Sequence, residues 1–163
     1  MAESEQFDLL YNQALRYLAY RPRAKKEIHD YLVKKIKRKQ RKISEGEKLI
    51  KAVFKKLKEQ NLVNDQAFAI WWCEQRVKFR PRSSRVLLLE LRQKGVATDL
   101  AKRIISQVVD EKKSVEKLFR KKKNLWEKLP PQKRRQKAIR YFSSRGFSWP
   151  IVEQVIDSSF KKE

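Results

Sequence analysis

Apolar residues recur along this chain at three- and four-residue steps rather than in alternation, the spacing that places them on one face of an α-helix. Phe7, Leu10, Tyr11, Ala14, Leu15 and Leu18 form a first stripe, Ile28, Tyr31, Leu32 and Ile36 a second, and Ile50, Val53, Phe54 and Leu57 a third. Ser44 and Glu47 have the spacing of a capping box, in which two side chains satisfy backbone N–H groups at a helix start. The third helix is therefore predicted from about there to Glu59. Asn64 or Asp65 caps a fourth through Phe68, Trp72 and Phe79, ended by Arg80-Pro81 because the residue before proline is pushed out of the helical region.

Ser83 or Ser84 caps a fifth helix carrying Leu88 and Leu91, which stops at Gly95, the residue type that adopts the left-handed C′ conformation without a Cβ penalty. Thr98 or Asp99 opens a sixth with Ala101, Ile104, Ile105 and Val108. A seventh uses Val115, Leu118, Phe119, Leu125, Trp126 and Leu129 and is terminated by Pro130-Pro131. Three glycines and five prolines are too few for the tight turns of a β protein.

Two internal echoes organise these helices. The stretch from Leu91 through Gly95 to Ile105 matches, 51 residues on, the stretch from Phe142 through Gly146 to Ile156, glycine on glycine and apolar on apolar. Arg21-Pro22-Arg23 is repeated as Arg80-Pro81-Arg82, each followed by a helix with apolar residues at matching places. The expected fold is all-α, an elongated array of three tandem three-helix repeats. Their expected extents are 1–60, with a basic insertion at 34–42 in place of a glycine turn, 61–111 and 112–163. Each is near the lower size at which one small core supports itself, so neighbours should lean on one another.

Composition then limits what such an array does. The 163 residues hold 42 Lys+Arg against 19 Asp+Glu, a net charge of +23, while four Trp, five Tyr and eight Phe argue against a disordered polycation. Like charge on this scale destabilises a compact fold unless something outside neutralises it, which points to a polyanion or an acidic protein. Cys73 and His29 are each the sole residue of their type, leaving no internal disulfide, Cys-based zinc site or His-pair metal motif. No apolar run reaches the ~18 residues that would span a bilayer, and the N-terminus is acidic and polar. The expectation is a cytoplasmic protein, neither secreted nor membrane-bound.

No phosphate-binding glycine loop is present, and the acidic residues lie scattered among lysines, so neither enzymatic activity nor a cofactor is expected. Glu27, Asp30, Glu111 and Glu116 are expected to pair with basic neighbours three or four residues away on solvated faces. From Tyr31 to Ser44 there is no acidic residue, and further basic clusters occur at 120–123 and 133–135. Any one cluster could be a solvated face; together they suit phosphate.

Charge and position nominate Arg21, Arg23 and Lys25 beside the first Arg-Pro-Arg boundary, and Lys34, Lys35, Lys37, Arg38 and Lys39 in the insertion. Arg80, Arg82, Arg85 and Arg92 are nominated around the second boundary, and Lys133, Arg134 and Arg135 in the third repeat. Arg21, Arg23, Arg80, Arg82 and Arg85 are expected to line one continuous basic surface. Arginines at these boundaries can equally cap carbonyls of the preceding helix. Phe54, Phe68, Trp126 and Phe142 read as core; of the adjacent Trp71 and Trp72, one covers a joint or stacks on a base.

Taken in order, several stretches resemble the RecX regulatory proteins of bacteria: Ala14 to Arg23 with Glu27, Ile28 and Leu32; Leu62-Val-Asn-Asp65-Gln-Ala-Phe68-Ala69; and Leu88-x-x-Leu91-x-x-Lys-Gly95-Val96. The resemblance spans essentially the whole chain. It implies a non-enzymatic regulator that acts as a monomer on the RecA filament on single-stranded DNA, with double-stranded DNA as a second polyanion. Such proteins lie in the filament groove and restrain ATP hydrolysis, strand exchange and coprotease activity. The basic insertion and Pro130-Pro131-Gln132, which stands where earlier copies have Arg-Pro-Arg, depart from the family pattern. The rival reading is a stand-alone basic helical nucleic-acid-binding protein of the nucleoid or ribosome.

Overall fold

The computed structural model describes residues 3–38 and 43–160. They form nine α-helices and no strand: α1 (Glu3–Ala19), α2 (Lys25–Arg38), α3 (Ile43–Glu59), α4 (Asp65–Phe79), α5 (Ser84–Gln93), α6 (Thr98–Val108), α7 (Glu111–Trp126), α8 (Pro131–Ser143) and α9 (Trp149–Phe160). The principal helix packing is confined to three consecutive trios, α1–α3, α4–α6 and α7–α9. Each has its own apolar core, centred on Ile28, Leu32, Val53 and Leu57 in the first, Phe68, Leu87, Leu91 and Ile104 in the second, and Val115, Phe142, Val152 and Ile156 in the third. The all-helical array of three three-helix units expected from the repeat is thus the observed one.

Local chemistry explains several helix ends. The Asn64 side chain accepts from the Ala67 N–H at 2.9 Å, Ser83 Oγ from Val86 N–H at 3.3 Å and Asp110 Oδ1 from Lys113 N–H at 3.0 Å, so one orphan donor at each of those starts is met. α6 begins at Thr98 behind Ala97, which supplies no side-chain cap. α3 is already helical at Ile43, so Ser44 and Glu47 lie inside it rather than forming its boundary; residues 39–42, which carry the rest of the basic insertion, lie outside the described residues. The described part of the insertion extends α2 to 14 residues against 10 in α5. Ile36 anchors this extension, buried where α3 offers only Gly46 beneath it; a Cβ there would stand 2.6 Å from Ile36 Cγ2.

Gly95 and Gly146 end α5 and α8 at φ +83° and +82°. Val96 N–H bonds to Leu91 C=O and Phe147 N–H to Phe142 C=O, the six-to-one closure of a Schellman turn, with the following residue, Val96 or Phe147, buried. The two glycines are equivalent, as the 51-residue echo requires.

Candidate nucleic-acid interface

The same two turns are where the trios meet. Gly95 faces Lys26 of the first trio, and Gly146 faces Ser83 and Val86 of the second. At each joint the first residue of the incoming trio's leading helix is acidic and caps the preceding trio's middle helix. Asp65 Oδ1 accepts from Lys25 N–H at 2.8 Å, and Glu111 Oε1 from Ser84 N–H at 2.6 Å. A carboxylate at a helix N-terminus satisfies an orphan donor and meets the positive end of the helix dipole, so both acids hold trios together. Glu111 was expected on a solvated face with a neighbour three or four residues away; its partner is instead 27 residues distant.

Glu27 departs from that expectation further. Its carboxylate accepts from Arg21 Nη2 at 2.8 Å, Lys94 Nζ at 2.9 Å and Ala24 N–H at 3.2 Å, with the side chain only 11% exposed. Burial alone would raise its pKa, but the hydrogen bonds from Arg21, Lys94 and Ala24 outweigh burial and hold it down at about 2. Arg21 lies 5.6 Å from the Trp71 ring and Lys94 5.3 Å from that of Trp72, whose indole N–H donates to Glu90 at 2.8 Å alongside Arg76 at 2.9 Å. Both tryptophans, each half-buried, therefore serve the first joint and its flank. Asp30 does pair as expected, with Lys26 one turn away at 2.8 Å.

Internal contacts divide the nominated residues. Arg21 is committed to Glu27, and Arg23 stacks 3.9 Å over the Tyr17 ring and donates to Tyr17 C=O at 3.3 Å, the carbonyl-capping alternative. Arg135 is held by Asp157 at 2.6 Å and Glu153 at 4.0 Å, and Arg134 lies 4.7 Å from the Phe160 ring. Lys25, Lys34, Lys37, Arg38, Arg92 and Lys133 are exposed on their helices, and Lys35 sits 5.1 Å from the Tyr31 ring. Lys39 lies outside the described residues. Arg85 borders a hollow on one side of the second joint with Phe147, Ser148 and Ile151.

Arg80 and Arg82 lie elsewhere on the second joint, in a cleft of about 360 Å³ with Phe79, Leu118, Lys121, Tyr141 and Arg145. Phe79 and Arg80 also border a second hollow running along α4 past Trp71, Trp72 and Arg76, so the two share a wall. Arg145 stacks 3.7 Å over Tyr141 and donates to Tyr141 C=O at 3.2 Å, while Phe79 is 63% exposed. Lys117 Nζ fastens the joint by donating to the carbonyls of Val77 and Lys78 at the end of α4. No ion pair among the described residues engages Arg80, Arg82 or Lys121. Guanidinium and ammonium groups beside the exposed Phe79 ring supply the two contacts a single nucleic-acid strand takes, phosphate neutralisation and base stacking. Sequence reasoning named Arg80 and Arg82 and the run containing Lys121; it missed Tyr141 and Arg145, which come from another trio and carry no local signal.

Reversing Arg80 and Arg82 to Glu is expected to weaken binding of a labelled oligothymidylate at least about tenfold and to flatten the log affinity against log salt slope by about 1.4, at ~0.7 per phosphate. Helicity should be unchanged, since neither side chain has an ion pair to lose. Fluorescence anisotropy across a salt series checks both; wild-type affinity in the double variant would remove the cleft from the interface.

No group of three or more His, Cys, Asp or Glu side chains that could hold a metal is present among the described residues, and no helix there is long and apolar enough to cross a membrane. Three-helix units in tandem, with joined trios forming a basic, aromatic-lined cleft, define a helical repeat protein equipped for binding. Residues 11–36, 64–103 and 110–156 match the family models described as the first, second and third three-helix domains of RecX. The chain belongs to the RecX family.

It is similar to "Regulatory protein RecX" of Bacillus subtilis (strain 168), with 31% identity over 153 residues, 90% of this chain and 53% of the relative. The protein of the same name from Bacillus pumilus (strain SAFR-032) is 33% identical over 156 residues, 92% and 55% of the respective chains. The chain thus spans about half the length of these curated relatives. Its fold is also that of the RecX crystal structure from Lactobacillus salivarius, with a TM-score of 0.75 over 95% of this chain and 97% of that one at 23% identity. The homologues carry the name of regulatory proteins.

Proposed function

We propose that this chain regulates the RecA recombinase by binding the filament that RecA forms on single-stranded DNA, restraining its ATP hydrolysis, strand exchange and coprotease activity. Support comes from membership of a family of regulatory proteins and, above all, from the cleft in which Arg80, Arg82 and Lys121 stand beside Phe79 and Tyr141 at the second joint. That cleft has donors for phosphate and, in Phe79, an exposed ring for a base, which suits a strand held extended inside a protein filament better than the edges of a duplex groove. The chain acts by occupancy, as a monomer in the cytoplasm, and needs no cofactor or chemical step of its own.

The test adds the protein to preformed filaments of its host's RecA, with single-stranded DNA in excess so that competition for free DNA is swamped. ATP hydrolysis and strand exchange are expected to fall in proportion to the protein bound. Unaffected rates at saturating protein would refute the proposal. The stand-alone nucleic-acid-binding reading draws on the same cleft; it requires binding to DNA or RNA without RecA and no effect on the filament.

A further inference from the structure

The first trio carries a second recognition surface whose chemistry differs from that of the arginine cleft. α3 is 17 residues long against 11 in α6 and 12 in α9, so it extends well beyond its counterparts. Along it Glu47, Ile50, Lys51, Phe54, Lys55 and Lys58 stand three, four, seven, eight and eleven residues on from the first, a single stripe on one helix face of about 16 Å at 1.5 Å per residue. Beside this stripe runs α2, contributing Lys25 and His29, and the two helices enclose a groove of about 590 Å³.

Ile50 and Phe54 are nearly covered, at 4% and 8% exposure, and form its floor together with the methylene stems of the lysines. The lysine side chains on the rim have no ion pair among the described residues. Nothing in the three-helix scaffold demands them: the corresponding helix of the third trio, α9, has no basic residue in its first or last turn and carries Glu153 and Asp157.

We propose that the α2–α3 groove docks an acidic, amphipathic peptide segment of a partner protein, seated with an aliphatic side chain over Ile50 and Phe54 and carboxylates against Lys51, Lys55 and Lys58. The length of the stripe matches three helical turns of such a segment, the helix-in-groove mode of recognition. Charge complementarity selects acid. The floor selects peptide over nucleic acid, because Phe54 is too covered to stack on a base while Ile50 and Phe54 together offer an aliphatic side chain an apolar seat. Glu47 at the opposite end of the stripe sets polarity, repelling carboxylates there and leaving the Lys51–Lys58 end to receive them. This site stands apart from the arginine cleft and does not depend on the filament reading.

The test uses the full chain and a fluorescein-labelled twelve-residue helical peptide of Glu and Ala with two leucines one turn apart, a second peptide in which both leucines are serine, and an oligothymidylate. Anisotropy should show the leucine peptide binding at least about tenfold more tightly than the serine peptide, a difference of about 1.4 kcal/mol. The double variant Lys51→Glu/Lys55→Glu should lose that binding, and Arg80→Glu/Arg82→Glu should retain it. Equal binding of the two peptides, loss of peptide binding in the arginine variant, preference of the groove for the oligothymidylate, or no peptide binding at all would each overturn the proposal. Because Lys51 and Lys55 are exposed, their reversal leaves the core intact, and circular dichroism verifies the fold.

Discussion

Replacing Gly146 by valine is expected to destabilise the protein by about 2 to 5 kcal/mol, combining left-handed backbone strain of ~1–2 kcal/mol with overpacking of ~1–3 kcal/mol. The backbone there has φ +82°, and a Cβ would stand 2.6 Å from Val86 Cγ2 and 2.7 Å from Ser83 Oγ. Neither neighbour retreats freely. Ser83 is buried, its Oγ caps α5 through the Val86 N–H, and its own N–H donates to Arg145 C=O at 3.3 Å. Moving it would forfeit a cap worth ~1 kcal/mol and open the second joint.

Gly95→Ala should be milder. Of its close neighbours, the Lys26 Cγ and Cδ atoms belong to a flexible stem, although Cβ at 2.7 Å does not. Urea unfolding checks the ranking: a Gly146→Val midpoint shift equivalent to under about 1 kcal/mol would mean that the turn is not strained by a side chain.

The second large effect lies at Glu27. Its pKa of about 2 in the folded protein, against 4.5 for an unperturbed glutamate, means that the unfolded chain binds its proton more tightly. The stabilisation is therefore fully present above about pH 4.5 and is lost as pH falls through the folded value; the shift corresponds to at most about 3 to 4 kcal/mol. Glu27→Ala should accordingly lower stability at neutral pH by about 2 to 3 kcal/mol, since the acceptor for Arg21, Lys94 and the Ala24 N–H disappears together. Arg21 and Lys94 are partly exposed and can rehydrate, which keeps the loss at that level. Glu27→Gln keeps an acceptor and should lose less while removing much of the acid dependence. Thermal unfolding between about pH 5 and pH 2 separates the cases, and parallel pH profiles for wild type and Glu27→Gln would refute the assignment.

Much of the architecture was legible along the chain. Helix faces follow a 3.6-residue period, caps act within three residues, and Gly95 and Gly146 mark turns closed by their own neighbours, so each signal lies within a few positions of its effect. The 51-residue echo extended those local rules to the number of units. Arg80 and Arg82 were legible as candidates because they flank a repeated boundary.

What charge would do at a given position was not legible. Glu27 and Lys94 are 67 residues apart in sequence, Lys25 and Asp65 are 40, and Ser84 and Glu111 are 27. In the sequence alone Glu27 and Glu111 read as acids on wet helices and Asp65 and Ser84 as candidate caps of their own helices, with no signal for a partner across a joint. Docking one trio on the next removed part of that water and turned Asp65, Glu111 and Glu27 into fasteners, while packing within the first and third trios spent Arg21 on Glu27 and Arg135 on Asp157. The same docking brought Tyr141 and Arg145 beside Arg80. The sequence by itself determined the helix faces, the glycine turns and the repeat, because those depend on neighbours along the chain; tertiary structure alone decided which charges remain free for a partner, because that depends on distances and solvent exclusion between packed segments.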